Sequence, residues 1–152
     1  MDNANSRIHR RGTEDAEYPQ REITDQILAA AFEVHSQLGA GLLEAVYREA
    51  LSHELHLRGL SVAREVEVPL QYKGVALRAP FRLDLLVSGE VIVEAKTVDA
   101  LGPIHTAQLL TYLRLTGKTV GLLINFNTAH LRDGIRRVVN SLRSSASPVP
   151  LR

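Results

Sequence analysis

Arg82-Leu83-Asp84-Leu85-Leu86-Val87-Ser88-Gly89-Glu90-Val91-Ile92-Val93-Glu94-Ala95-Lys96 reads as two short apolar strands joined at Ser88-Gly89, a pair suited to a tight hairpin turn. Side chains alternate along a strand, so Phe81, Leu83, Leu85 and Val87 are expected on one face. Val91, Val93 and Ala95 take the matching face of the second strand. Arg82 and Asp84 then point the other way, as do Ile92, Glu94 and Lys96. Folding about the turn brings Asp84 roughly opposite Val93 or Glu94. Glu94 and Lys96 stand two residues apart on one face, with Cα atoms about 6.5–7 Å apart. Two carboxylates and an ammonium are thus held on neighbouring strands amid apolar sequence. Left unpaired they would be costly, and a divalent cation is the natural group to neutralise them.

Outward from the hairpin, the apolar period changes twice. Upstream, Val62, Arg64, Val66 and Val68 predict one face of a strand, with Ala63, Glu65 and Glu67 on the other. Pro69 suits an edge or a bulge. Lys73-Gly74 predicts a turn into a strand that starts at Val75 and runs, bent at Pro80, into the Asp84 strand. Before these strands, Ile27, Leu28, Ala31, Phe32, His35 and Leu38 fall at helical spacing, with a start near Thr24 and a stop at Gly39 or Gly41. A second helix is expected from about Leu42 to Arg58, ended by Gly59. Downstream, Pro103 suits the first turn of a third helix and Gly117 its end. Thr119 to Phe126 is a nearly continuous apolar strand, as expected when both faces are buried. The spacing of Ile135, Val138, Val139 and Leu142 predicts a last helix over 131–142. The strand–helix–strand run from Glu90 to Phe126 makes its two strands parallel. The fold class is α/β (α+β), a central mixed β-sheet flanked by helices.

The 152 residues suit one domain, expected over 21–143, between a polar N-terminal tail (1–20) and a Ser/Pro-rich C-terminal tail (144–152). Apolar residues make up 45% of the chain, enough for a core, and the absence of Trp makes that core aliphatic. A net charge of +1 favours no polyanionic partner by itself, so affinity for nucleic acid would need a local patch. The absence of Cys excludes disulfides, thiolate metal sites and a Cys nucleophile. No apolar run approaches the roughly 20 residues of a membrane span, so the sequence predicts a soluble, cytoplasmic protein.

Asp84, nine intervening residues, then Glu94-Ala95-Lys96 resembles the core of the PD-(D/E)xK nuclease superfamily. Its physical logic is clear. Hydrolysing a phosphodiester calls for a metal that activates water and offsets charge on the phosphate. Mg²⁺ prefers oxygen ligands and keeps several waters, so two carboxylates are enough to hold it. An adjacent Lys can orient the water or stabilise the charged transition state. The superfamily's leading Pro is not beside Asp84; Pro80 lies four residues earlier. Three further runs strengthen the resemblance. Gly41-Leu42-Leu43-Glu44-Ala45-Val46-Tyr47 is a Gly-x-x-Glu-x-x-Tyr pattern opening the second helix, although Glu44 alone would read as an acid at a helix start. Gln108 and Tyr112 share a face of the third helix and resemble the Gln-x-x-x-Tyr motif of several such exonucleases. Gly121 to Asn127, with Gly134-Ile135-Arg136-Arg137, completes the pattern.

Ile23 to Val139, roughly three-quarters of the chain, resembles the GxxExxY protein family, a branch of that superfamily. The resemblance implies a restriction-endonuclease-like core and a metal-dependent nuclease using Mg²⁺ or Mn²⁺. It implies catalytic positions at Asp84, Glu94 and Lys96, with Glu44, Gln108 and Tyr112 beside them and the metal on Asp84, Glu94 and Glu44. Arg82 and His105 are the candidates for substrate contact, although His35 and His105 also suit packed, hydrogen-bonded roles. His53 and His56 have no third ligand nearby and read as surface residues. Arg132, Arg136, Arg137 and Arg143 make the expected last helix basic. The expected partner is nucleic acid, DNA first, with no membrane and a homodimer left open. The competing readings are a non-catalytic nucleic-acid- or protein-binding module on the same fold, and hydrolysis of a small phosphoester. Retention of Asp84, Glu94 and Lys96 together favours the enzyme.

Overall fold

A computed structural model describes residues 18–78 and 81–141. The chain runs α1 (Arg21–Leu38), α2 (Glu44–Leu57), β1 (Val62–Val68), β2 (Gln71–Tyr72), β3 (Val75–Ala76), β4 (Phe81–Val87), β5 (Val91–Lys96), α3 (Pro103–Thr116), β6 (Val120–Asn125), a 3₁₀ turn (Leu131–Gly134) and β7 (Ile135–Val139). Five strands form one sheet in the order β1-β4-β5-β6-β7, and β2-β3 is a separate ribbon. Only β5 and β6 are parallel, as a helical crossover requires, with Glu94 beside Leu123 and Lys96 beside Asn125. Every residue of β6 is buried, which explains its unbroken apolar run. Helices cover both faces of this mixed sheet. Among the described residues no helix is long and apolar enough to cross a membrane.

Two cores result. Ile27, Ala31, Tyr47, Leu51 and Leu55 of α1 and α2 pack on Leu85, Val93, Ile124 and Phe126. The Tyr47 and Phe126 rings stack at 4.6 Å and 7°. On the other face Leu109, Tyr112 and Leu113 of α3 pack on Leu83, Ile92 and Leu123. The α3 helix lies close against β6, because a Cβ at Gly121 would come within 2.8 Å of the Leu109 side chain. That close approach seats Tyr112 on the sheet, with Gln108 one turn before it left exposed.

Four expectations are corrected. First, residues after Leu131 form a 3₁₀ turn and a strand antiparallel to β6, in place of a helix over 131–142. Ile135, Val138 and Val139 satisfy either period, but three of the five residues in β7 are β-branched, and the buried β6 needs a hydrogen-bonding partner on its second edge. Gly134 allows the reversal, since a Cβ there would overlap the Asn125 carbonyl oxygen. The expected basic helix therefore does not exist. Arg136 bonds Thr106 Oγ1 at 2.8 Å and the carbonyls of Leu101 and Gly102. Arg137 bonds the Pro19 carbonyl and lies 5.5 Å from the Tyr18 ring centre. Gly134→Val is expected to cost about 3 kcal/mol in denaturant unfolding, at the upper end of overpacking penalties. A loss below about 0.5 kcal/mol would mean that the turn relaxes freely.

Second, β4 does not keep one face. Leu83 packs with the α3 core, whereas Leu85 and Val87 pack with the α1/α2 core. Its partner β1 turns over at the same level: Val62 packs on the α1/α2 core, and Val66 and Val68 on the α3 core. The crease lies at Glu65, which has φ 49, opposite Asp84 between the paired residues Arg64↔Leu85 and Val66↔Leu83. Third, the strand from Val75 does not run on into β4. It closes the short β2-β3 ribbon through the expected Lys73-Gly74 turn, and Pro80 lies outside the described residues. Fourth, α1 starts at Arg21, not near Thr24, whose Oγ1 donates to the Arg21 carbonyl at 3.0 Å. Tyr18 to Gln20 pack on the domain through Arg137 and through Gln20 Nε2, 3.4 Å from Glu90 Oε2. The rest of the expected tails, 1–17 and 144–152, lies outside the described residues.

Candidate active site

The β4–β5 hairpin turns where Ser88-Gly89 predicts. Both residues have positive φ, 52° and 68°, and the Glu90 N–H bonds the Val87 carbonyl at 3.0 Å. Pairing runs Val87↔Val91, Leu86↔Ile92, Leu85↔Val93 and then stops. The next residues in register would be Asp84 and Glu94. Two side-chain bonds replace the ladder there. The Asp84 N–H donates to Glu94 Oε1 at 3.3 Å, and the Ala95 N–H donates to Asp84 Oδ2 at 2.9 Å. The crease at Glu65 and Asp84 makes this possible, because it turns Asp84 out of a regular strand position and toward β5.

The two carboxyl groups differ in environment. Glu94 is 5% exposed, and burial, followed by the Asp84 charge, pushes its pKa up to about 9. The hydrogen bond from Asp84 and the Lys96 ammonium act the other way without offsetting this. Without a cation, Glu94 therefore holds a proton at neutral pH. Asp84 stays partly open, with 15% of its side chain exposed, and Arg48 Nη1 reaches its Oδ1 at 3.3 Å. Lys96 follows Glu94 by two positions on β5. Just beyond it, the buried Asn125 accepts the Val98 N–H at 3.1 Å and donates to the Val98 carbonyl at 2.8 Å. Those bonds fix the path of the chain as it leaves β5.

From the other side, α3 starts with Pro103 after Gly102 and presents Gln108 and Tyr112 one turn apart. The Gln108 side chain acts on the Tyr112 hydroxyl and opposes part of the rise in its pKa. Burial, then the Glu94 and Asp84 charges, raise the Tyr112 pKa, so the phenol stays protonated beside the carboxylates. The Phe81 ring supports it at 5.6 Å between centres. The structure thus gathers Asp84, Glu94, Lys96, Gln108 and Tyr112 at the point where the two helical layers meet across the creased sheet.

The other expected site residues are placed differently. Glu44 is the first residue of α2 and, among the described residues, makes no hydrogen bond or ion pair with Asp84 or Glu94. Tyr47 is a core residue; its hydroxyl bonds the Gly39 carbonyl and accepts the Leu42 N–H at 3.2 Å, which shapes the loop before Glu44. Arg82 lies across from Glu67 and pairs with it at 3.5 Å in an exposed position, because the crease separates its side of β4 from Asp84. His105 Nδ1 accepts the Gly102 N–H at 2.8 Å, a bond that closes the start of α3. His35 Nε2 contacts the Thr128 carbonyl at 2.9 Å. His53 and His56 are exposed on α2, near the Arg64–Glu49 ion pair.

The residue that sequence reading missed is Arg48. Its only signal is its spacing of four from Glu44, one turn along the same helix face.

Among the described residues no group of three or more His, Cys, Asp or Glu could hold a metal ion. The donor set still suits a hard cation, because Mg²⁺ takes one or two carboxylates and keeps waters for its other positions. A buried carboxyl group that holds a proton only for want of a counter-charge is the kind of donor such a cation would claim.

No curated protein matches the chain. The crystal structure of SSO0001 superposes with a TM-score of 0.52 at 21% identity, over 88% of this chain and 63% of that one. The chain therefore spans less than two thirds of SSO0001, and the likeness concerns the fold alone. The sequence model of the PD-(D/E)XK nuclease superfamily matches residues 21–138, from the start of α1 to one residue short of the end of β7, and takes in the Asp84–Glu94–Lys96 hairpin. The chain belongs to the PD-(D/E)XK nuclease superfamily.

Proposed function

We propose that the protein is a metal-dependent phosphodiester hydrolase acting on nucleic acid, DNA first, and that it falls in the GxxExxY branch of its superfamily. One observation carries the reading. Glu94 Oε1 accepts the Asp84 N–H and Asp84 Oδ2 accepts the Ala95 N–H across a broken ladder, with Glu94 buried, held protonated and two residues from Lys96. A structural ion pair would place a cationic side chain beside Glu94 that outweighs burial, and none does so here.

In the proposed reaction, water attacks phosphorus, the bond to the leaving oxygen breaks, and that oxygen takes a proton. Mg²⁺ or Mn²⁺ held by Asp84 and Glu94 would acidify the water and offset phosphate charge. Lys96 orients the attacking water and stabilises the charge that grows on the phosphate oxygens. Tyr112 remains a neutral donor, oriented by Gln108, and can bond a phosphate oxygen. Glu44 stands one turn before Arg48 at the start of α2, where it can hold a water at the outer side of the site.

A second reading, a non-catalytic module that binds nucleic acid or protein, is favoured by the Arg48–Asp84 ion pair, which occupies one carboxylate. A single assay separates the two. Purified protein is incubated with labelled single- and double-stranded DNA and RNA in Mg²⁺, Mn²⁺ or EDTA. Cleavage is expected with metal, none with EDTA, and at least about a hundredfold less with Asp84→Asn. Glu44→Gln should lower cleavage with little change in melting temperature. Binding without cleavage in every metal would establish the second reading, and full activity in Asp84→Asn would remove the first.

A further inference from the structure

We propose that Arg48 is a displaceable counter-ion of the metal site, one that holds Asp84 while the cation is absent and passes to Glu65 when it binds. The inference rests on the nuclease reading only for the presence of a cation at Asp84 and Glu94.

The guanidinium already spans both acceptors. Nη1 is 3.3 Å from Asp84 Oδ1 and Nη2 is 3.8 Å from Glu65 Oε1. Asp84 Oδ2 is anchored by the Ala95 N–H, so Oδ1 is the oxygen open to either a guanidinium or a metal. A cation there and Arg48 would repel at close range, in a site where Asp84 has only 15% of its side chain exposed and solvent screens weakly. Arg48 has somewhere to go. Glu65 lies directly across from Asp84 between β1 and β4, with 59% of its side chain exposed. Its φ of 49 turns it out of a regular strand position. Moving the guanidinium from one carboxylate to the other needs side-chain rotation only, with α2 held in place by Tyr47, Leu51 and Leu55 in the core. The other titratable groups at the site are Glu94, Tyr112 and Lys96. Lys96 already acts on Glu94, which leaves Arg48 as the cation paired with Asp84.

The arrangement has a consequence for function. With Arg48 on Asp84, the empty site keeps a counter-charge on that carboxylate and holds its shape. The cost is weaker metal affinity, because the cation must displace a charge. Glu65 lowers that cost by receiving it.

The two residues therefore affect metal binding in opposite directions, a signature that a merely structural ion pair would not produce. The test is calorimetric titration of the full chain with Mn²⁺, without nucleic acid, alongside thermal melts. Arg48→Gln should bind Mn²⁺ about tenfold more tightly, because a competing charge is gone. Glu65→Gln should bind it about threefold more weakly, because Arg48 has lost its second seat. Arg48→Lys, which keeps the charge, should stay near the unsubstituted protein. It also keeps the comparison with Glu65→Gln usable if Arg48→Gln does not fold. Equal or weaker binding in Arg48→Gln would overturn the proposal, and so would unchanged binding in Glu65→Gln. If the unsubstituted protein binds Mn²⁺ and cleaves while these variants leave affinity unmoved, the nuclease reading stands and the counter-ion role falls. If it takes up no Mn²⁺, both fall.

Discussion

Replacing Lys96 by Ala should lower metal-dependent cleavage at least about a hundredfold while leaving Mn²⁺ uptake and nucleic-acid binding in place. Lys96 follows Glu94 on β5, and its charge already acts on that carboxyl group. The chain after it is fixed by Asn125, so the ammonium sits on a rigid base. An ammonium so placed gains most when negative charge grows on the phosphate, and gains little in the ground state. The loss should therefore fall on kcat rather than on KM. Metal uptake should not fall, because the substitution removes a cation and leaves both carboxylates. The measurement is steady-state cleavage of the best substrate from the metal assay, beside Mn²⁺ calorimetry on the same variant. Full cleavage in Lys96→Ala would rule out a transition-state role. An equal loss of metal binding would assign Lys96 to holding the site together.

The parts of the site that lie on one strand pair or one helix turn were legible from sequence, because their geometry is local. Ser88-Gly89 sets the hairpin, and period two places Glu94 and Lys96 together on β5. Pro103 and Gly117 bound α3, and a spacing of four aligns Gln108 with Tyr112. The parallel pairing of β5 with β6 follows from the helix between them. What escaped depends on contacts between distant residues or on a single backbone angle. Glu65 carries no glycine signal, yet its positive φ turns over two strands and redirects Asp84. Ile135, Val138 and Val139 fit both a helix and a strand, and the choice was made by the open edge of β6 and the missing side chain at Gly134. Arg48 meets Asp84 only after α2 has packed on the sheet, so nothing within its own helix announces the pair.

The second large effect expected is on stability, and it comes from Glu94. In the folded, metal-free protein burial pushes its carboxyl group up to about 9, against an ordinary value of 4.5 in the unfolded chain. Between those values the folded state holds one proton more than the unfolded state. A folded pKa raised in this way gives a contribution that is complete below pH 4.5 and is lost as pH rises toward 9. In EDTA, stability should fall with rising pH by up to about 1.4 kcal/mol per unit across that window from this group. Glu94→Gln is neutral at all pH and keeps the shape of the protonated acid, including an oxygen for the Asp84 N–H. The variant should remove that slope and be more stable than the unsubstituted protein at pH 8, by up to roughly 5 kcal/mol. Saturating Mn²⁺ should reverse the order, because a cation takes the place of the proton and stabilises only the form with an ionised Glu94. Urea unfolding of both proteins from pH 5 to 9, with EDTA and with Mn²⁺, measures the difference directly, and other titrating groups cancel between the two chains. Parallel pH curves for the pair in EDTA would show that Glu94 ionises normally. That result would remove the buried, proton-holding carboxyl group from the site and with it the strongest physical reason for a cation there.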